Sequence, residues 1–257
     1  CIRTLPYIKE WHKKYASKGL VVIGVHTPEF EFEKKKENVQ NAISQYELTY
    51  PVAQDNNYST WNAFNNQYWP AKYLIDKNGT IRYTHFGEGN YEETERVIQE
   101  LLGEKVTTNQ ESVLSVPSLL YDNAPLTPET YLGFSRADRY TNTKDVIPLH
   151  FVRLSGEWNS QSEYIQSGKN SVMEIRFSAQ DVYLVITPQT LSDTLAVSIN
   201  GKEITAENAG KDVQSGKAKL SEARLYHLVH FLTTKEAVLK LEFQQHGTKA
   251  FAFTFGK

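Results

Sequence analysis

The chain has one cysteine, Cys1, and it stands directly ahead of a segment with helical periodicity. The thiolate is the reactive form of cysteine, and a helix N-terminus favours it electrostatically. Attack on a disulfide sulfur is therefore one chemistry open to Cys1. An inert, small apolar residue is the other reading of a lone cysteine.

Other groupings carry less. Glu29, Glu31 and Glu33 follow a strand-like run. They could assist proton transfer, but Asp and Glu are rarely buried, which favours solvated capping charge. His227 and His230 lie three apart in a second strand-like run; side chains alternate along a strand, so the two are expected on opposite faces with no shared metal. Trp158, Tyr164 and Tyr183 could form a sugar-stacking platform, although packing is the stronger reading for each because aromatics dominate core energetics. No zinc spacing, phosphate loop or nucleophile elbow is present. No cofactor and no metal are expected.

The 257 residues carry a formal net charge of −2, which argues against a general nucleic-acid or membrane-surface partner. That length accommodates two ordinary domains. No run approaches the roughly 18 apolar residues of a membrane span; Gly19 to Val25 reads as a buried strand. One cysteine excludes an internal disulfide framework. The chain does not begin with Met, so its natural start is expected upstream and the absence of a signal peptide carries no weight.

The elements that would position Cys1 follow in order. Ile2, Leu5, Ile8, Trp11 and Tyr15 recur at helical spacing up to about Ser17, with a kink expected at Pro6. Lys18-Gly19 ends this helix. Leu20 to His26 reads as a central strand, apolar on both faces. A helix from about Phe32 to Tyr46, a short strand at Tyr50 to Ala53 and a short helix at Asn57 to Asn65 come next. Two strand-like runs, Ala71 to Asp76 and Ile81 to Thr84, flank an Asn78-Gly79 turn, a strong hairpin signal. Asn90 is expected to cap a last helix with Val97, Ile98, Leu101 and Leu102 on its buried side. These elements predict a mixed α/β sheet.

From about Gly103 to Pro128 periodicity stops, which predicts a linker over 105–127. Beyond it the chain turns to strands: Val172 to Phe177, Asp181 to Ile186, the alternating Leu195, Val197 and Ile199 before Asn200-Gly201, then Leu239 to Phe243 and Phe251 to Phe255. This is the pattern of an all-β sandwich over 128–257.

Several stretches together resemble a known family. Cys1-Ile2-Arg3-Thr4-Leu5-Pro6 looks like the second half of a Cys-x-x-Cys motif, in which a proline follows five residues after the second cysteine. With Val22 to Phe30, Asp55 to Trp61, Tyr68-Trp69-Pro70-Ala71, Tyr73 to Asp76 and Phe86-Gly87-Glu88-Gly89, it resembles the thioredoxin-like fold. More narrowly, it is similar to the TlpA-like domain of the DipZ-type proteins. The block from Thr127 to Gly256 resembles the C-terminal domain of the same proteins, which is similar in fold, jelly-roll-like, to carbohydrate-binding modules; such similarity does not establish sugar binding.

The resemblance implies an α/β thioredoxin-like domain over 1–104, lacking its first strand and first active-site cysteine, followed by the sandwich. It implies thiol–disulfide exchange outside the cytoplasm, in the periplasm or cell envelope, by an intact parent protein, with Cys1 as the resolving thiol; this chain alone is expected to be incompetent. Pro70 is implied to be cis. Trp69 before it either pairs its backbone with an extended substrate or serves as a packed aromatic. The implied partners are a disulfide- or thiol-containing protein, a membrane domain that donates electrons, and a glycan on the second domain; no nucleic acid is expected. A non-catalytic binding protein, recognising a glycan or polypeptide through the sandwich, is the alternative. A one-cysteine peroxidase fits the Cys1–Pro6 spacing poorly.

Overall fold

The computed structural model describes residues 1–104 and 125–257, so most of the expected 105–127 linker lies outside the described residues. Contacts divide the chain into two compact units, Cys1–Ser115 and Val116–Lys257.

In the first unit a 3-10 turn, Ile2–Thr4, runs into helix α1, Leu5–Tyr15. Pro6 sits in the first turn of α1, directly after the 3-10 turn. The first turn of a helix lacks intrahelical partners for its N–H groups, so a proline is tolerated there. Gly19, at φ 107°, closes the segment after a second 3-10 turn. Strand β1 (Gly24–His26), helix α2 (Lys36–Gln45), strand β2 (Val52–Gln54) and helix α3 (Ser59–Ala63) follow. Strands β3 (Ala71–Ile75) and β4 (Ile81–Phe86) form the Asn78-Gly79 hairpin, and helix α4 (Tyr91–Leu102) closes the unit. The expected second helix divides, because extended backbone at Lys35 separates α2 from a 3-10 turn at Glu31–Lys34.

Trp11 and Tyr15 of α1 pack with Ile98 of α4, flanked by Tyr7, Ile8, Leu74 and Leu102. The buried Tyr15 hydroxyl is satisfied, donating to Glu95 (2.6 Å) and accepting from Gln99 (2.8 Å). Asn90 precedes α4 in a left-handed conformation (φ 48°) and makes no side-chain cap, contrary to expectation. Its amide points to His85 instead, and Thr94 donates back to its carbonyl.

The central strand also differs from expectation. β1 pairs in parallel with β2, while β3 and β4 form a separate antiparallel ladder. No ladder joins the two among the described residues, so a single mixed sheet is not formed. Val21 (77%), Ile23 (62%) and Val25 (45%) are correspondingly exposed rather than buried. Their apolar character fits a covered face, and nothing in the described residues covers it.

The second unit is all β. In order its strands are β5 (Thr130–Tyr131), β6 (Val152–Ser155), β7 (Trp158–Ser160), β8 (Ile165–Ser167) and β9 (Val172–Thr187). Then come β10 (Asp193–Ile199), β11 (Lys202–Glu203), β12 (Val213–Gln214), β13 (Lys217–Leu220), β14 (Arg224–Phe243) and β15 (Lys249–Gly256). The runs at 172–177 and 181–186, read separately in sequence, are one strand. Residues 172–179 of β9 pair with 235–242 of β14, in a layer that continues through β10, β13 and β12. Residues 181–186 pair with 224–230, in a layer that continues through β15, β8 and β7.

The two long strands thus pass from one layer to the other. The inward side of β9 switches with them, from Met173, Ile175 and Phe177 to Val182, Leu184 and Ile186. All six belong to one core, in which Phe177 stacks near Phe231 and Phe255. Fully burying such a side chain contributes about 1.5–3 kcal/mol.

Strand β14 corrects the reading of its histidines. Leu228 and Val229 both point inward, and the register with β9 shifts between His227 and Val229. This β-bulge adds one residue to the count. His227 and His230 therefore share one face, not opposite ones, and both meet Asp181.

Candidate redox site

Cys1 is an exposed free thiol whose carbonyl accepts the first hydrogen bond of the turn leading into α1, from Thr4 N at 2.9 Å. Two residues on, Arg3 Nε donates to Glu88 Oε2 at 2.7 Å, and the Cys1 amino group lies 3.3 Å from Oε1. Glu88 belongs to the tight Phe86-Gly87-Glu88-Gly89 segment after β4. There Gly87 (φ 83°) occupies backbone space that favours glycine, and its N–H donates to the Pro70 carbonyl at 2.7 Å. The Trp69–Pro70 peptide bond is cis. One chain of contacts thus ties the Cys1 turn to the segment that holds Pro70.

Two ionisable groups here escaped the sequence reading. Burial alone would raise the Glu88 carboxyl, but the hydrogen bond and charge of Arg3 outweigh it and hold it below the usual range. Lys72, 7% exposed, is the second residue of β3, two residues after Pro70. Its ammonium donates to the Gly87 carbonyl (3.3 Å) and lies over the Tyr91 ring. Burial pushes its pKa down, and Glu88 offsets part of that shift. An ionised Glu88 carboxylate therefore adjoins the Cys1 turn, and Lys72, which loses its proton more readily than an exposed lysine, sits on the Gly87 side of Glu88. In sequence Lys72 is only a lysine after Pro70-Ala71, and the contacts that bury it form in the fold.

Trp69 is half-exposed. Its indole N–H donates to the Thr27 carbonyl (3.1 Å), and its ring lies 4.1 Å from that of Trp61. Asp55, 6% exposed, organises this corner: its carboxylate accepts from Thr60 N, Trp61 N and the Thr27 hydroxyl. Those bonds outweigh burial and keep Asp55 ionised, its pKa below the usual range. Asp55 stands three residues ahead of the α3 N-cap residue Tyr58, and in sequence it entered only as the start of the Asp55 to Trp61 stretch. Glu33 accepts from the Glu29 and Phe30 N–H groups, and Glu31 pairs with Lys34.

Residues 127–256 match the family described as "Thioredoxin like C-terminal domain", and residues 1–102 match Redoxin. The chain belongs to the thioredoxin-like C-terminal domain family. Its first unit has a thioredoxin-like fold and its second is the all-β region. Among relatives, it is 37% identical over 226 residues to Protein DipZ of Mycobacterium tuberculosis, covering 82% of this chain and 32% of that protein. It is 28% identical to the thiol-disulfide oxidoreductase YkuV of Bacillus subtilis, over 40% of this chain and 70% of YkuV. It is 31% identical to the thiol-disulfide oxidoreductase ResA of Bacillus cereus, over 39% of this chain and 56% of ResA. The chain spans about a third of the DipZ length.

In this DipZ-like region Trp158, Tyr164 and Tyr183 each lie against a different ring. Trp158 packs edge-on against Phe243, Tyr164 lies against Phe251, and Tyr183 stacks on His227. No helix among the described residues is long and apolar enough to cross a membrane.

Proposed function

We propose that the chain supplies the resolving half of a dithiol site in a longer thiol–disulfide oxidoreductase that works outside the cytoplasm. Cys1 is the resolving thiol. Its thiolate attacks the mixed disulfide formed between a second enzyme cysteine and a protein substrate. The enzyme–substrate S–S bond breaks, the substrate sulfur leaves as a thiolate and takes a proton, and the two enzyme cysteines end as a disulfide. A membrane domain of the parent protein is the electron donor that reduces that disulfide again. The observation that carries the reading is the contact chain from the exposed Cys1 turn, through Arg3 and Glu88, to the Pro70 segment.

A strand carrying the second cysteine fits between β1 and β3. The apolar but exposed Val21, Ile23 and Val25, and the missing ladder between the two sheets, support that position. Units at 1–104 and 128–257 act as separate domains of the parent.

The test is disulfide reduction by a longer protein that includes the upstream residues. It should turn over an insulin-type substrate, and Cys1→Ser should lower the rate at least a hundredfold with the fold intact. A Cys1→Ser protein that turns over at the wild-type rate would sink the assignment.

A further inference from the structure

The bulge in β14 gathers two imidazoles and a carboxylate on one side of the second unit. His227 Nε2 lies 2.8 Å and His230 Nδ1 2.7 Å from the same oxygen, Asp181 Oδ1. The three ligand-capable atoms all fall within 4.8 Å of one another. No protein donor reaches Asp181 Oδ2 among the described residues. The Asp181 and His227 side chains are 15% and 13% exposed, whereas His230 is 43% exposed, so the cluster opens to solvent on one side.

The arrangement is held by the backbone rather than by the three side chains alone. Residues 208–212 run beside the bulge: His230 N donates to the Asn208 carbonyl, Gly210 N to the Leu228 carbonyl and Asp212 N to the His227 carbonyl. Asp212 in turn accepts from His227 N at 2.7 Å. Gly210 is required for this approach, since a Cβ there would lie 2.3 Å from the His227 carbonyl oxygen. Tyr183 stacks on the His227 ring, centroids 4.4 Å apart, and sets its plane.

We propose that Asp181, His227 and His230 form a binding site for a transition-metal dication of the Zn²⁺ class, with Oδ1, Nε2 and Nδ1 as its ligands. Two imidazoles and one carboxylate suit zinc and its first-row neighbours, and they are too few and too nitrogen-rich for calcium or magnesium. Zinc bonds of about 2.0–2.1 Å in a tetrahedron need ligand atoms about 3.3 Å apart. The two O···N separations must therefore open by roughly half an ångström. Metal on Nε2 places the His227 proton on Nδ1, and the 3.5 Å contact that Lys211 N–H makes there is given up. Three protein ligands leave a fourth position on the exposed side for water or a small anion, the pattern of an open rather than a closed zinc site. The proposal does not rest on the thiol–disulfide reading.

The test uses the whole chain with Cys1 alkylated, so that the thiol cannot bind metal. Zinc titrated by calorimetry should bind one equivalent per chain, and His230→Gln or Asp181→Asn should weaken binding roughly tenfold or more. His246→Ala should leave it unchanged. Independently of any variant, zinc should shift the imidazole resonances of His227 and His230 ahead of those of the other five histidines. Unshifted His227 and His230 signals at saturating zinc, or binding equally tight in His230→Gln, would overturn the proposal.

Discussion

Replacing Asp55 by alanine removes the acceptor on which the Trp69 corner is built. Two main-chain N–H groups, of Thr60 (2.9 Å) and Trp61 (2.8 Å), and the Thr27 hydroxyl (3.2 Å) would face a methyl group in a site only 6% exposed. A hydrogen bond to a charged group is worth about 1.5–3 kcal/mol, and a lost N-terminal cap alone about 0.5–2 kcal/mol. The three bonds share one acceptor and are not additive, so the expected cost is about 2–4 kcal/mol. That is roughly 30- to 1,000-fold in the folding equilibrium. Denaturant unfolding followed by tryptophan fluorescence measures it, with Asp55→Asn intermediate because one oxygen still accepts. The folded pKa of Asp55 is depressed, since its hydrogen bonds outweigh burial. Its stabilisation is therefore fully present above the unfolded value of about 3.9 and is lost as pH falls through the lower folded value. Asp55→Asn should lack that acid component. A loss below about 0.5 kcal/mol in Asp55→Ala, the size of an ordinary surface change, would refute the reasoning.

Two further substitutions probe the second unit. Gly210→Ala places a Cβ against the His227 carbonyl and should cost about 1–3 kcal/mol in thermal unfolding while weakening zinc binding, because the bulge must move. Phe177→Ala empties the centre of the core between Phe231 and Phe255 and should cost about 3–5 kcal/mol, read as a lowered denaturant midpoint.

Local patterns in the sequence carried most elements. The period of α1, the Asn78-Gly79 hairpin and the Asn200-Gly201 turn are set by neighbouring residues, and each appears in the structure. Features set by distant residues did not show. The parity of His227 and His230 depends on a bulge pinned by residues 208–212, some twenty positions earlier. The passage of β9 and β14 between layers depends on which core each half covers. Lys72 and Glu88 gain their character from Gly87, Tyr91 and Arg3, which reach them only in the fold. Asn90 occupied a capping position, but its left-handed backbone turned the side chain away from the helix.

The central claim is that Cys1 resolves a mixed disulfide, and trapping that intermediate tests it most directly. In the longer protein carrying Cys1→Ser, incubation with a disulfide substrate should leave a covalent enzyme–substrate adduct. Intact-mass measurement should show one substrate per protein, released by added dithiol. Continued release of reduced substrate with no adduct would contradict the account.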